Sequence, residues 1–153
     1  MNAEDLQIAT NLHSGNLLHP LTEMTLELWP ECDYSDERKQ WEQINNSGDH
    51  FCAVAKYRSN DAGFIHISIR NDYVEGTDTN KTAYLEALYV RAAYRKKLIA
   101  SALLKKGEEW VMSKGLNQLA SDTELHNTIS QHFHSQSGFE EKNRIVCYIK
   151  KLS

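Results

Sequence analysis

The chain has 153 residues, of which 41% are hydrophobic and 25% charged, with a formal net charge of -4. That length suits one domain, 1–153, able to bury its own core. The acidic balance argues against nucleic acid as the main ligand, and no apolar run approaches the roughly 20 residues needed to span a bilayer. The N-terminus "MNAEDLQIAT" starts acidic and lacks a signal-peptide core, so the expected location is the cytoplasm.

In chain order, "DLQIA" reads as a short first strand. "NLLHPLTEMTLELW" carries Leu17, Leu18, Leu21, Met24, Leu26 and Leu28 at mixed helical spacing and ends near Pro30. "SDERKQWEQI" looks like a second helix, with Ser35 as a candidate cap. "HFCAVAKYR" and "GFIHISIR" alternate, and "SNDAG" between them predicts an antiparallel hairpin. After the polar connection "NDYVEGTDTN" comes the strand "TAYLEALYV", then a helix over "ASALLKKGEEWVMSKG" closed by Gly115. "NQLASD" reads as a short strand, "TELHNTISQHFHSQSGF" as a helix ending at Gly138, and "NRIVCYIKK" as a final alternating strand. This order defines an α+β (mixed α/β) domain, and the crossovers after Val90 and Asp122 require some parallel pairing. The three cysteines, Cys32, Cys52 and Cys147, have no metal-ligand or disulfide spacing. Cys52 and Cys147 lie in apolar runs and read as packing residues. His132 and His134 are two apart on a helix and point in different directions, so no metal site is expected.

Between the strand ending at Val90 and the helix that follows stands the basic turn "RKKLIA". A strand, a basic turn and a helix start form a common anion cradle, but such turns usually contain glycine and this one has none. Glu86 is a carboxylate inside an otherwise apolar strand, which is expensive to bury unless it is paired or used. Asp122 ends a strand, where it suits either ligand binding or helix capping.

This order of elements resembles the GNAT superfamily of acetyl-CoA-dependent N-acetyltransferases. The superfamily's cofactor loop, (Arg/Gln)-x-x-Gly-x-(Gly/Ala), aligns with Arg95, Lys96, Lys97, Leu98, Ile99 and Ala100, and Leu98 replaces the central glycine. Asn127 and Gly138-Phe139 fit a second marker, in which His134 stands where tyrosine is common. More narrowly, "SIRNDYVEGTDTN…YLEALYV…ASDTELHNTISQHFHSQSGFEE" is similar to the aminoglycoside 6'-N-acetyltransferases.

The resemblance implies a GNAT fold: a central, mostly antiparallel mixed sheet with splayed parallel strands, flanked by about four helices. It implies acetyl-CoA as co-substrate, held by Leu88, Tyr89, Val90, Arg95, Lys96, Lys97, Leu98, Ile99, Ala100, Ser101 and Asn127, with free backbone N–H groups of Leu88 and Val90 facing the thioester. Leu98 is expected at negative φ, as in a first helical turn, with its side chain packed away from the phosphates. Glu86 would act as general base or amine anchor, Asp122 would bind an ammonium group, and His134 would protonate the departing thiolate. Trp29 would stack on a sugar, and Tyr73, Glu75 and Asp78 would line an acidic acceptor cleft. Each also has a plain structural reading, as core tryptophan, polar loop, ion pair, helix cap or surface histidine. The implied activity is direct acetyl transfer to an aminoglycoside, conferring antibiotic resistance. The alternatives are acetylation of another small-molecule or protein amine, and a non-catalytic acyl-CoA-binding module. Relatives in this group are often homodimers with C-terminal strands at the interface, so "NRIVCYIKK" either joins a partner or completes its own sheet.

Overall fold

A computed structural model describes residues 4–12, 16–78 and 80–153. Among these residues, five strands form one sheet in the order β1-β2-β3-β4-β5. They are β1 (Leu6–Thr10), β2 (His50–Tyr57), β3 (Asn60–Arg70), β4 (Thr82–Val90) and β5 (Leu119–Ala120). Neighbours run antiparallel until β4 meets β5, which pair parallel through Ala83–Leu119 and Tyr84–Ala120. Four helices accompany them: α1 (Leu18–Leu28), α2 (Tyr34–Asn45), α3 (Ile99–Ser113) and α4 (Thr128–Gln136). The expected mixed, mostly antiparallel sheet is therefore present.

Both faces of the sheet are covered, so β2 and β3 are buried along most of their length. On one face Phe51, Ala53, Ala55, Ile65, Ile67, Ala83 and Leu85 pack against Ile99, Leu103, Leu104, Trp110 and Val111 of α3. On the other, Cys52, Val54 and Phe64 meet Leu17, Leu21 and Met24 of the α1 segment and Trp41 of α2. Trp41 Nε1 donates to Thr25 Oγ1 at 3.0 Å, which fastens α2 to α1. Gly107 lets α3 lie close to the sheet, since a Cβ there would stand 2.4 Å from Ile67 Cδ1.

One irregularity decides what β4 presents. His66 pairs with Ala87 and Ile67 with Leu85, so Glu86 is the extra residue of a β-bulge. Strict alternation would turn Ala87 to the α3 face together with Ala83 and Leu85. The bulge resets the parity. Leu88 and Val90 now pack with the α3 cluster, while Ala87 and Tyr89 pack with the α1/α2 cluster.

Several boundaries differ from the expectations. Asp33, not Ser35, caps α2, accepting from the Asp36 N–H. The β2–β3 turn is tighter than "SNDAG" suggested, with Arg58 and Ser59 at φ 48 and 69. α4 starts only at Thr128. The largest correction is the C-terminal segment, where "NRIVCYIKK" forms no strand. Ile145, Val146, Tyr148, Ile149 and Leu152 are 65–94% exposed, and Cys147 is exposed rather than packed. Alternation gives a segment the capacity to be a strand, but a strand also needs an edge to pair with. Gly115 and Gly138 end their helices at φ 76 and 89, as expected.

Candidate active site

β4 carries the first component. The Arg91 N–H donates to Ala62 O across to β3 at 2.8 Å. Strand alternation then turns the N–H groups of Leu88 and Val90 the other way, toward the side on which β5 lies. β5 stops pairing at Tyr84, so those groups face an open gap. The Val90 carbonyl, on the same edge, accepts from Arg95 Nε at 3.0 Å. Tyr89 is turned away from the gap, with its hydroxyl donating to Glu27 Oε2 of α1.

The chain leaves β4 through a 3-10 turn, Ala92–Tyr94, and enters α3 through "RKKLIA". Leu98 sits at φ 60, ψ 19, and Lys96 at φ 64. This overturns the expectation of a negative φ at Leu98. The turn demands left-handed geometry at the position where the superfamily pattern has glycine, and leucine adopts it against the Cβ–carbonyl clash. The Leu98 side chain is 72% exposed and lies in solvent rather than packed. The glycine pattern was the only signal that could have revealed this. With the turn so shaped, Leu98 O accepts from the Ala102 N–H. The first-turn N–H groups of Ile99, Ala100 and Ser101 therefore have no carbonyl within the helix. Beside the cations of Arg95, Lys96 and Lys97 they make an anion site that suits a pyrophosphate. Lys97 Nζ stands 5.2 Å from the Tyr57 ring, at the side of this site.

On the α1/α2 face lies a cavity of about 300 Å³, lined by Thr25, Trp29, Glu37, Gln40, Trp41, Ile44, His66, Glu86 and Ala87. Alternation from Leu85 turns Glu86 toward it, and the bulge adds Ala87 to the same face. The cavity unites Trp29, at the end of α1, with Glu86. It also includes His66, which the sequence did not single out. His66 is packed edge-on to Trp41 and bonded at 2.9 Å to His50. Burial, reinforced by His50, pushes its pKa down to about 3, so the ring is neutral.

Glu86 is not a free carboxylate. Oε1 accepts from Ser68 Oγ at 2.5 Å and from Arg70 Nε and Nη2, while Oε2 accepts from Arg70 Nη2 at 2.9 Å. The Arg70 guanidinium lies 3.5 Å from the Tyr84 ring centroid. The Tyr84 hydroxyl is bonded to Asp122, and burial, then that carboxylate, raises its pKa. One network therefore links Glu86 to Asp122 across β3, β4 and the end of β5. Arg70 and Tyr84 were missed as site residues, although Tyr84 shares strand parity with Glu86. Asp122 is not a helix cap, because Asn127 caps α4 and accepts from the Ser130 N–H at 3.1 Å. The Asn127 side-chain oxygen is thus already committed.

Tyr73, Glu75 and Asp78 do not line the cavity. They belong to the β3–β4 connection, where Tyr73 donates to Glu75 Oε2 at 2.8 Å and Asn143 Nδ2 donates to Glu75 Oε1. These two donors lower the Glu75 pKa, with Asn143 contributing most. Asp78 Oδ2 accepts from Gln118 Nε2 at 3.4 Å, just ahead of β5. Tyr73 is 72% exposed, and its ring is open to a ligand. His134 lies partly buried on α4, with Nε2 2.7 Å from Ser121 Oγ and Nδ1 2.7 Å from Ser130 O. Among the described residues no group of three or more potential ligands could hold a metal ion.

A splayed strand edge, a helix start that suits a pyrophosphate and an acceptor-side cavity are the parts an acyl-CoA-dependent transferase needs. The acetyltransferase (GNAT) family matches residues 16–139, and the chain belongs to that family. Within it, the chain is 35% identical over 126 residues to the aminoglycoside N(6')-acetyltransferase type 1 of Salmonella typhimurium, covering 82% of this chain and 86% of that protein. It is 34% identical to the Serratia marcescens enzyme of the same name, with the same coverage. Among solved structures it superposes on AAC(6')-Iy in complex with the bisubstrate analogue CoA-S-monomethyl-acetylneamine. The TM-score is 0.88 at 30% identity, covering 95% of this chain and 98% of that one. The aminoglycoside 6'-N-acetyltransferase AAC(6')-Ih of Acinetobacter baumannii gives a TM-score of 0.86 at 28% identity, covering 97% and 99%.

Proposed function

We propose that this chain transfers acetyl from acetyl-CoA directly to the 6'-amine of aminoglycosides, and so confers resistance to them in the cytoplasm. The observation that carries this reading is the bulge. It puts Glu86 and Ala87 side by side at an acceptor cavity on one side of β4, while the N–H groups of Leu88 and Val90 open onto the gap beside it, where the thioester would lie. The similarity to enzymes named for the 6' reaction supports the choice of acceptor.

In this reading the pyrophosphate lies on the N–H groups of Ile99, Ala100 and Ser101 and on Arg95, Lys96 and Lys97. Leu88 or Val90 donates to the oxyanion as the amine attacks. Glu86, held by Arg70 and Ser68, works better as an amine anchor than as a base, because its lone pairs are largely occupied. Asp122, Glu75 and Asp78 provide negative charge for a polycationic acceptor. Trp29 and Tyr73 supply aromatic faces for sugar rings.

The same reading includes a homodimer. Residues 145–152 form an apolar, strand-patterned arm that joins no strand among the described residues, and a second copy exchanging its identical arm is the partner proposed.

Purified protein, acetyl-CoA and kanamycin or tobramycin should release free thiol. Binding of coenzyme A without thiol release for several 6'-amino aminoglycosides would sink the reading. Release with spermidine but with no aminoglycoside would shift it to another amine.

A further inference from the structure

The carboxylates of the site are already engaged: Glu86 with Ser68 and Arg70, and Asp122 with Tyr84. The reaction still has to move a proton from the attacking nitrogen to the departing sulfur. One pair at the gap is built for this. His134 Nδ1 lies 2.7 Å from Ser130 O, and a carbonyl can only accept, so Nδ1 carries the hydrogen. Nε2 is then the bare nitrogen, and it accepts from Ser121 Oγ at 2.7 Å. Phe139, with its ring centroid 5.0 Å away, and Phe133 hold the imidazole edge-on. The side chains against the ring (Ser121, Ser130, Phe133 and Phe139) are uncharged. Ser121 directly follows Ala120, the last β5 residue paired to β4, so it stands where the two strands part.

We propose that Ser121 and His134 form a proton shuttle that carries the amine proton to the leaving thiolate. The proposal rests on the acetyl-transfer reading above. The amine enters as the free base. Its nitrogen forms the C–N bond, and the carbonyl π pair moves to oxygen. The N–H proton passes to Ser121 Oγ as the serine's own proton passes to His134 Nε2. This gives an imidazolium whose Nδ1–H stays on Ser130 O. The tetrahedral intermediate collapses, the C=O re-forms, and the C–S pair goes to sulfur. The proton then returns from Nε2 to Oγ, and the serine hydroxyl proton passes to sulfur. The products are the amide and the thiol, with no net proton gained or lost. His134 thus acts as base and then as acid through Ser121, rather than as a direct acid toward sulfur.

The test is steady-state kinetics of thiol release with kanamycin for the wild type, Ser121→Ala, His134→Gln, the double variant and Ser121→Thr, with thermal melts as folding controls. Ser121→Ala and His134→Gln should each lower kcat about 100-fold, the usual scale for one acid–base step, and change the acetyl-CoA KM less than about threefold. Because the pair acts as a unit, the double variant should fall no further than either single one. Ser121→Thr, which keeps the hydroxyl, should recover at least about a tenth of wild-type kcat on the same scale. A Ser121→Ala kcat within about threefold of wild type would overturn the shuttle, as would single losses that multiply in the double variant. A wild type that turns over no aminoglycoside would instead remove the acetyl-transfer reading, and the shuttle with it.

Discussion

Replacing Leu98 with glycine tests how the cofactor loop works without its glycine. Leu98 lies at φ 60, a region that costs an L-residue about 1–2 kcal/mol through the Cβ–carbonyl clash. Glycine would relieve that strain but lose more backbone entropy on folding, about 0.5–1 kcal/mol. The side chain is 72% exposed, so little burial is forfeited, at most about 0.5 kcal/mol. The balance runs from about −0.5 to +1.5 kcal/mol and centres on a stabilisation of about 0.5 kcal/mol, or about 1–2 °C in Tm for a chain of this size. Because the native loop already has the glycine conformation, acetyl-CoA affinity should change by less than about threefold, or 0.6 kcal/mol. Thermal unfolding followed by circular dichroism, with titration calorimetry for the cofactor, reads both quantities. Leu98→Val, which puts a β-branched side chain at the same φ, should melt below the wild type. A Leu98→Gly protein that melts several degrees lower, or binds acetyl-CoA tenfold more tightly, would refute the reasoning.

Three further outcomes follow from the packing. His66 has a folded pKa of about 3 against an unfolded value of 6.5, so below 6.5 the unfolded state takes up the proton and stability falls as pH drops. The loss should reach about 2–3 kcal/mol near pH 4.5. Urea titrations of His66→Gln should lack that increment, and an equal acid loss in both proteins would contradict it. Gly107→Ala drives a Cβ to 2.4 Å from Ile67 Cδ1. It should lower stability by about 1–3 kcal/mol in a denaturant melt, and an unchanged midpoint would mean that α3 can shift outward. Removing residues 145–153 should convert a dimer into a monomer by light scattering. A full-length chain that is monomeric at micromolar concentration would dismiss the arm exchange.

The periodicities of the chain reported the two-sided sheet well, because core side chains must recur at period 2 on strands and near 3.6 on helices. Hence β2, β3, β4, α1 and α3 were legible, together with the glycines that close α3 and α4. Trp29, Glu86, Asp122 and the basic turn were legible as candidates through their residue types and their resemblance to a known pattern. What could not be read depended on partners distant in sequence. The bulge at Glu86 arises from the register with His66 and Ile67, and it alone decides that Glu86 and Ala87 share a face. Arg70, Tyr84 and His66 gain meaning only when β3 and β4 lie side by side.

The sequence by itself determined the element order as far as α4 and the apolar faces, since these follow from local propensity and patterning, and its motifs carried the resemblance to the family. The tertiary structure decided the rest. It placed Leu98 in the left-handed region because the loop must turn into α3. It committed Glu86 to Arg70 and Ser68, and it set His134 against Ser121. It left the last alternating segment unpaired, because a strand is defined by the edge that receives it.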